Sequence, residues 1–158
     1  MPRQEWLRWM YRGRRPNGVA RFLNRASDLL ARTGTNRMRT LEVRPARTGR
    51  TIALPVVPVP MDGTTYLVSM LGERANWVRH VRSAGGRAVI RGRGRHEVVL
   101  LDVPPARRPP ILRRYLDLAP GARPHIPVPR GAPIAEFERV KGDFPVFEVR
   151  VPRRPPGE

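Results

Sequence analysis

The stretch that decides the fold is LVSMLGERANWVRHVRSAGGR, residues 67–87. It begins as an apolar strand, turns at Gly72, and continues as a helical pattern that starts near Arg74 and ends at Gly85-Gly86. The first N–H groups of a helix have no partner within the helix, and the helix dipole makes that end positive. A phosphate is readily held at such a junction. The pattern predicts an anion-binding strand, turn and helix, with a solvated basic helix as the alternative.

A second basic loop joins the two strands that are predicted before this stretch. It reads RPARTGR, residues 44–50, and it combines three arginines with a hydroxyl and a glycine. Arg44, Arg47 and Arg50 each offer a planar guanidinium for phosphate or carboxylate oxygens. Gly49 lets the backbone approach an anion closely. Taken alone, the loop also fits a flexible basic hairpin; taken with the helix start, it favours a long, polyanionic ligand.

The rest of the chain alternates short strands with helical patterns. The expected elements are strands at 38–44, 52–60, 64–71, 88–91, 96–103 and 144–151, a helix at 74–84, and a helix after residues 104–110 with the apolar stripe Ile111, Leu112, Tyr115 and Leu116. Asp62-Gly63 and Gly92-Arg93-Gly94-Arg95 mark two hairpins. Residues 119–135 are rich in proline and read as irregular, and Glu136 and Glu138 read as an extended segment.

Six short strands in hairpins with helices between them predict an α+β, mainly β fold, a small antiparallel barrel. Residues 1–35 form a helical extension: an amphipathic segment at 2–12, then a helix that follows Asn17 and stops at Gly34. The barrel domain covers residues 36–151, and residues 152–158 are a frayed tail. The segment at 2–12 either docks on the core or makes a peripheral membrane contact.

The composition sets limits on the chemistry. The 158 residues include no cysteine, which excludes thiol catalysis, Cys-ligated zinc and disulfides, and points to the cytoplasm. The net charge of +18 invites a polyanion, yet arginine provides almost all of the basic side chains, as GC-rich coding would produce. The three histidines show no metal-binding spacing, so no metal site is predicted, and no serine lies in a nucleophile elbow. If the protein is an enzyme, a cofactor carries the reaction.

These residues together resemble the deazaflavin-dependent nitroreductase family. The likeness rests on R-x-x-R-T-G-R at 44–50, on the Asp62-Gly63 hairpin, and above all on NWVRHVRSAGG, residues 76–86. It extends over roughly residues 36–118. The resemblance implies a split β-barrel that binds coenzyme F420.

The same resemblance implies a set of cofactor-binding residues. The phosphate and acidic tail would be held by Arg44, Arg47, Thr48, Gly49 and Arg50; the ring would be lined by Val68, Ser69, Met70 and Leu71, with Gly72 at the turn; and Asn76, Trp77, Arg79 and His80 would complete the site. No catalytic residue is assigned, and the proton donor stays open among Ser69, Tyr66, Tyr115 and water.

The implied function is that of an F420-dependent oxidoreductase of the nitroreductase or quinone reductase type. It would pass a hydride to an electron-poor acceptor such as a quinone, a nitro compound or an activated alkene. One alternative keeps the barrel and replaces F420 with FMN or haem, because a fold does not fix a function. Another is a non-enzymatic basic module for nucleic acid or an acidic membrane, although the sparse aromatic residues argue against specific nucleic-acid recognition. A carrier that binds F420 without catalysis is a third.

The loop at 44–50 yields a direct test at Arg47. If its guanidinium contacts the tail of F420, Arg47→Ala costs roughly 1.5 to 3 kcal/mol of binding free energy, as for a charge-assisted hydrogen bond. Arg47→Lys recovers only part of this, because an ammonium lacks the bidentate geometry. Fluorescence titration measures both, with Arg154→Ala as a control for overall charge. Equal losses at 47 and 154 would remove the loop from the site.

Overall fold

The computed structural model describes residues 37–44 and 50–152. In this part of the chain the strands are β1 Arg39–Val43, β2 Ile52–Val56, β3 Val59–Met61, β4 Thr64–Val68, β5 Arg87–Gly92, β6 Gly94–Asp102 and β7 Val146–Arg150, and the α-helices are α1 Asn76–Ser83, α2 Arg108–Leu118 and α3 Ile134–Glu138. The predicted N-terminal helices, residues 45–49 and residues 153–158 lie outside the described residues.

The strands form one seven-stranded sheet in the order β2-β1-β5-β6-β7-β4-β3, and every neighbouring pair is antiparallel. Because direction alternates across the sheet, the two edge strands β2 and β3 run the same way. Only Val57 and Pro58 separate them, and three Cα steps span at most about 11 Å. The edges therefore come close together and the sheet curls into a half-barrel. This confirms the predicted mainly β split-barrel class.

The number of strands differs from the prediction because the run at 52–60 is two strands rather than one. Pro58 lies at the break, where a strand ladder cannot use a residue without an N–H. Pro55 in β2 and Pro60 in β3 lie on the two edges of the sheet, as their sequence suggested. Both predicted hairpins are present as well, with Met61 opposite Thr64 and Gly92 opposite Gly94.

The core has two parts because strand side chains alternate between the two faces of the sheet. On one face, α1 buries Trp77, Val78 and Val81 against β1, β2, β5, β6 and Phe147 of β7. On the other face, α2 and α3 cover Val59, Tyr66, Val68 and Val146 of β3, β4 and β7. The predicted apolar stripe of α2 is confirmed, since Ile111, Leu112, Tyr115 and Leu116 are all buried.

The reading of Glu136 and Glu138 as an extended segment is wrong. Both residues lie in α3, a helix of only five residues that begins after Pro133. A single turn is too short to show a helical period, and its one buried residue, Phe137, is fully enclosed in the core shared with α2.

A buried arginine joins three segments of the second core. The Arg108 side chain is 5% exposed, and it donates hydrogen bonds to the carbonyl oxygens of Val103 (2.9 Å), Lys141 (3.0 Å) and Phe144 (3.4 Å). It therefore connects the end of β6, the start of α2 and the approach to β7. Nothing local in the sequence distinguishes it from its exposed neighbour Arg107.

The glycine pair after α1 gives a matched test of the fold. Gly85 and Gly86 both have positive φ, but a Cβ at 85 would meet nothing, whereas a Cβ at 86 would collide with the carbonyl oxygen of Leu100. We expect Gly85→Ala to cost about 1–2 kcal/mol of unfolding free energy through backbone strain alone. Gly86→Ala adds about 1–3 kcal/mol of overpacking. Denaturant unfolding measures the difference, and equal losses would contradict the close approach.

Candidate functional site

The candidate site lies at one end of the half-barrel. The antiparallel order makes β1, β4 and β6 end there, and it makes β2, β5 and β7 begin there. The connection from β1 to β2 and the turn and helix after β4 therefore open from the same end. We call this end the basic rim, defined by Arg44, Arg50, residues 69–79 and Arg87. The two sequence stretches that were predicted to bind an anion thus belong to one rim.

Three exposed arginines of the basic rim belong to β1, β2 and β5 or to their ends: Arg44, Arg50 and Arg87. Arg44 and Arg50 are exposed and bracket residues 45–49, among which Arg47, Thr48 and Gly49 lie outside the described residues. The β1–β5 pairing ends with Glu42 opposite Val89, and the same register continued by two residues would place Arg44 opposite Arg87. Like charges side by side on neighbouring strands repel each other. An anion between these guanidinium groups would relieve that repulsion.

Sequence reasoning missed Arg87. It is exposed, and in the described part of the chain it forms none of the ion pairs with a carboxylate. Its position directly after Gly85-Gly86 gives a weak signal, because the residue after a helix stop often starts the next strand. Its proximity to Arg44 depends on strand register, which the local sequence does not reveal.

The start of α1 is suited to an anion. Ala75 occupies the N-cap without a side-chain hydrogen bond, and the first turn contains no acidic residue. The carboxamide of Asn76 instead accepts a hydrogen bond of 2.7 Å from the Arg79 guanidinium, one turn further along the helix. The positive end of the helix dipole is therefore not offset by a carboxylate within the helix.

The segment that was predicted to line the ring divides into buried and accessible residues. Val68 and Ser69 are buried, Gly72 is buried at the turn, and Met70 and Leu71 are half-buried. Met70 packs against the core beneath α2, whereas Leu71 packs against the core beneath α1. Of these five residues, Met70 and Leu71 keep part of their side chains accessible to a ligand.

Ser69 shapes the turn. Its hydroxyl donates a hydrogen bond of 2.8 Å to the Gly72 carbonyl, and its N–H donates to the Pro145 carbonyl at 2.9 Å. Its proton is thus engaged within the protein, which argues against Ser69 as a proton donor. Tyr66 and Tyr115 are also buried, 6% and 5% exposed, in the core beneath α2.

The two ring side chains of α1 have different environments. Trp77 is 3% exposed and packs against Phe147 with ring centroids 5.5 Å apart. Its side chain therefore belongs to the core and stabilises the position of α1. His80 is half-buried. Burial, and to a smaller extent the charge of Arg79, lowers the pKa of His80 below its ordinary value. This environment therefore favours the neutral imidazole.

Arg82 of α1 is basic, but its charge is already balanced by two carboxylates. Its guanidinium donates to Glu73 at 2.6 Å and to Asp102 at 2.9 Å, and it lies 5.9 Å from the ring centroid of Phe147. The hydrogen bond from Arg82 holds the pKa of Glu73 below its ordinary value. These contacts fasten the turn before α1 to the end of β6.

Comparison with known proteins bears on the fold. No family model and no curated protein matches the sequence. A solved structure described as a domain-swapped dimer superposes with a TM-score of 0.50 at 16% identity, over 83% of this chain and 98% of its own. The Agrobacterium tumefaciens protein Atu2129, of unknown function, gives 0.53 at 15% identity, over 73% of this chain and 48% of its own.

A structure of the F420-H2 dependent reductase FDR-A covers 72% of this chain and 94% of its own at 21% identity. Its TM-score of 0.46 is too low to bear on the cofactor of this chain. Across residues 37–44 and 50–152, no helix is long and apolar enough to cross a membrane, and no cluster of three or more acidic or histidine side chains is arranged to hold a metal ion.

Two serines near α1 provide a matched test of the turn. The Ser69 hydroxyl is buried and bonded to Gly72, whereas the Ser83 hydroxyl is exposed and bonded to the His80 carbonyl at 3.0 Å. We expect Ser69→Ala to lower the free energy of unfolding by about 0.5–1.5 kcal/mol, because it removes a buried hydrogen bond and leaves the Gly72 carbonyl with only the 3.4 Å hydrogen bond from the Ala75 N–H. Ser83→Ala changes it by less than about 0.5 kcal/mol. Thermal or urea unfolding distinguishes them, and a neutral Ser69→Ala would refute this role.

Proposed function

We propose that the chain binds the deazaflavin coenzyme F420 at the basic rim and transfers a hydride between it and an electron-poor acceptor, such as a quinone, a nitro compound or an activated alkene. One observation carries the proposal: the ends of the β1–β2 loop, Arg87 and the uncapped start of α1 lie at the same end of the half-barrel. The resemblance of residues 44–50 and 67–87 to the deazaflavin-dependent nitroreductase family supports F420 as the ligand.

The charges of the rim fit a polyanionic tail. Arg44, Arg50 and Arg87 provide guanidinium groups for phosphate and carboxylate oxygens. The carboxylates nearest the helix, Glu73 and Asp102, are both paired with Arg82, so they offer little repulsion to a bound anion. The proposal extends to Arg47, Thr48 and Gly49 as further contacts with the tail.

The apolar part of the rim fits a planar ring. Met70 and Leu71 present partly accessible apolar side chains at the boundary between the two cores. Gly72, with φ of +84°, keeps the turn tight, since a Cβ there would lie 3.0 Å from the carbonyl oxygen of Asp143. A ring that packs against Met70 and Leu71 would be shielded from water on one side.

When bound, reduced F420 supplies the hydride, and no protein nucleophile is needed. The chain's own residues bind the tail, orient the ring and exclude water from one of its faces. Ser69 holds the turn and retains its proton. Burial lowers the pKa of His80, which lies in the last turn of α1, and a polyanion bound beside its imidazole would raise that pKa.

The proposal predicts salt-sensitive F420 binding in which Arg87 participates. We expect micromolar affinity that weakens as salt screens the partly exposed site. Arg87→Ala should weaken binding about five- to tenfold, the lower range for a charge-assisted hydrogen bond at an exposed position. Arg113→Ala on the exposed side of α2 removes the same charge away from the rim and should change affinity less than about twofold. Fluorescence titration of F420 measures each affinity.

The rival functions give different results in the same titration. No fluorescence change at low salt would refute F420 binding, and tighter binding of FMN would favour the FMN alternative. A haem protein would be recognised by its visible absorbance. Tight F420 binding without oxidation of the reduced coenzyme by any quinone, nitro or alkene acceptor would indicate a carrier.

A further inference from the structure

The β5–β6 hairpin lies at the end of the half-barrel opposite the basic rim. Its residues 91–97, RGRGRHE, are all exposed, the longest unbroken exposed run among the described residues. Gly92 pairs with Gly94, which leaves Arg93 alone at the tip. The proposed F420 site uses none of residues 91–97, and its one residue on this hairpin, Arg87, lies at the far end of β5.

Four arginines surround the tip of the hairpin. Arg91 and Arg95 are direct cross-strand partners, so their side chains leave the same face of the sheet. On the other face of the sheet, the side chain of Arg39 from β1 lies over Gly92. A Cβ added to Gly92 would collide with that side chain. With Arg93 at the tip, guanidinium groups project from both faces and from the end. We call this set, Arg39 with residues 91–97, the arginine hairpin.

The acidic residues near the arginine hairpin offset only part of its charge. Glu42 pairs with Arg91 at 2.5 Å, and Glu97 pairs with Arg95 at 3.4 Å. The Arg91, Arg95 and Glu97 side chains are at least half exposed, and Glu42 is 22% exposed, so an incoming anion can compete for the arginines. Within residues 91–97 and their two acidic partners, three guanidinium groups stand against two carboxylates, so Arg93 at the tip leaves an excess of positive charge at the end of a narrow ribbon.

We propose that the arginine hairpin binds the phosphodiester backbone of a nucleic-acid duplex, independently of base sequence. Arginine binds phosphate oxygens in bidentate fashion, and a two-stranded ribbon fits the major groove of a duplex. The run 91–97 contains no apolar side chain, so it lacks the anchor that a lipid surface would require. Phosphate contacts of this kind position a protein on the duplex without reading its sequence.

The test compares two pairs of arginines in the full chain. Arg93→Ala with Arg95→Ala removes two charges from the hairpin, whereas Arg107→Ala with Arg113→Ala removes two from exposed positions around α2. The probe is a fluorescently labelled DNA duplex of about 20 bp, long enough for several phosphate contacts, and anisotropy is followed over a series of salt concentrations. Circular dichroism confirms that each variant is folded.

We expect the hairpin pair to reduce the slope of log K against log salt by about 2, close to one per lost phosphate contact. Affinity at moderate salt should fall by more than about tenfold. Arg107→Ala with Arg113→Ala should change the salt slope and the affinity by less than half as much as the hairpin pair does. F420 binding should be unchanged in the hairpin pair, so this result is independent of the proposed cofactor.

Three outcomes would overturn the proposal. Equal losses from the two pairs would mean that overall charge attracts the duplex. An unchanged slope in the hairpin pair would mean that the hairpin makes no phosphate contact. Loss of binding to vesicles of anionic phospholipid, with duplex binding intact, would identify the hairpin as a membrane contact.

Discussion

The shape of this protein depends on the two-residue link between β2 and β3. These strands occupy opposite edges of a seven-stranded sheet and run in the same direction. In a flat sheet of seven strands, six gaps of about 4.8 Å each would separate the two edges. The link of Val57 and Pro58 spans at most about 11 Å, so it cannot cross such a sheet. The sheet must curl, and six of its strands contribute to the core against which α1 packs Trp77, Val78 and Val81. The position of α1, and with it the start of the helix, follows from that closure.

Sequence periodicity predicted the elements whose local pattern is strong. The alternation in β1 and β7, the glycines of the hairpins and the stripe of α2 each lie within one short segment, where side-chain period and turn residues suffice. The five-residue α3 was missed because its burial depends on one side chain, Phe137, and on a contact with a distant helix. The split at Pro58 was missed because a bent strand and a broken one share the same local pattern.

The candidate site shows the same division between local and long-range information. The loop at 44–50 and the turn before α1 can be recognised from arginine, glycine and helix-start signals. The position of Arg87 beside Arg44 depends on strand register, and the balance of Arg82 by Glu73 and Asp102 depends on the end of β6 lying next to α1. Burial also changes roles within a motif: Ser69 and Trp77 look like ligand contacts in sequence, yet their side chains are enclosed.

The prolines of β2 and β3 affect whether the edges of the sheet can pair with a strand of another chain. An exposed strand edge offers unpaired N–H and carbonyl groups to any other chain with a free edge, and this is a common route to aggregation. Pro55 and Pro60 each remove one donor from such an edge, and β3 is only three residues long. The two prolines thereby make these edges a poor template for the addition of a foreign strand.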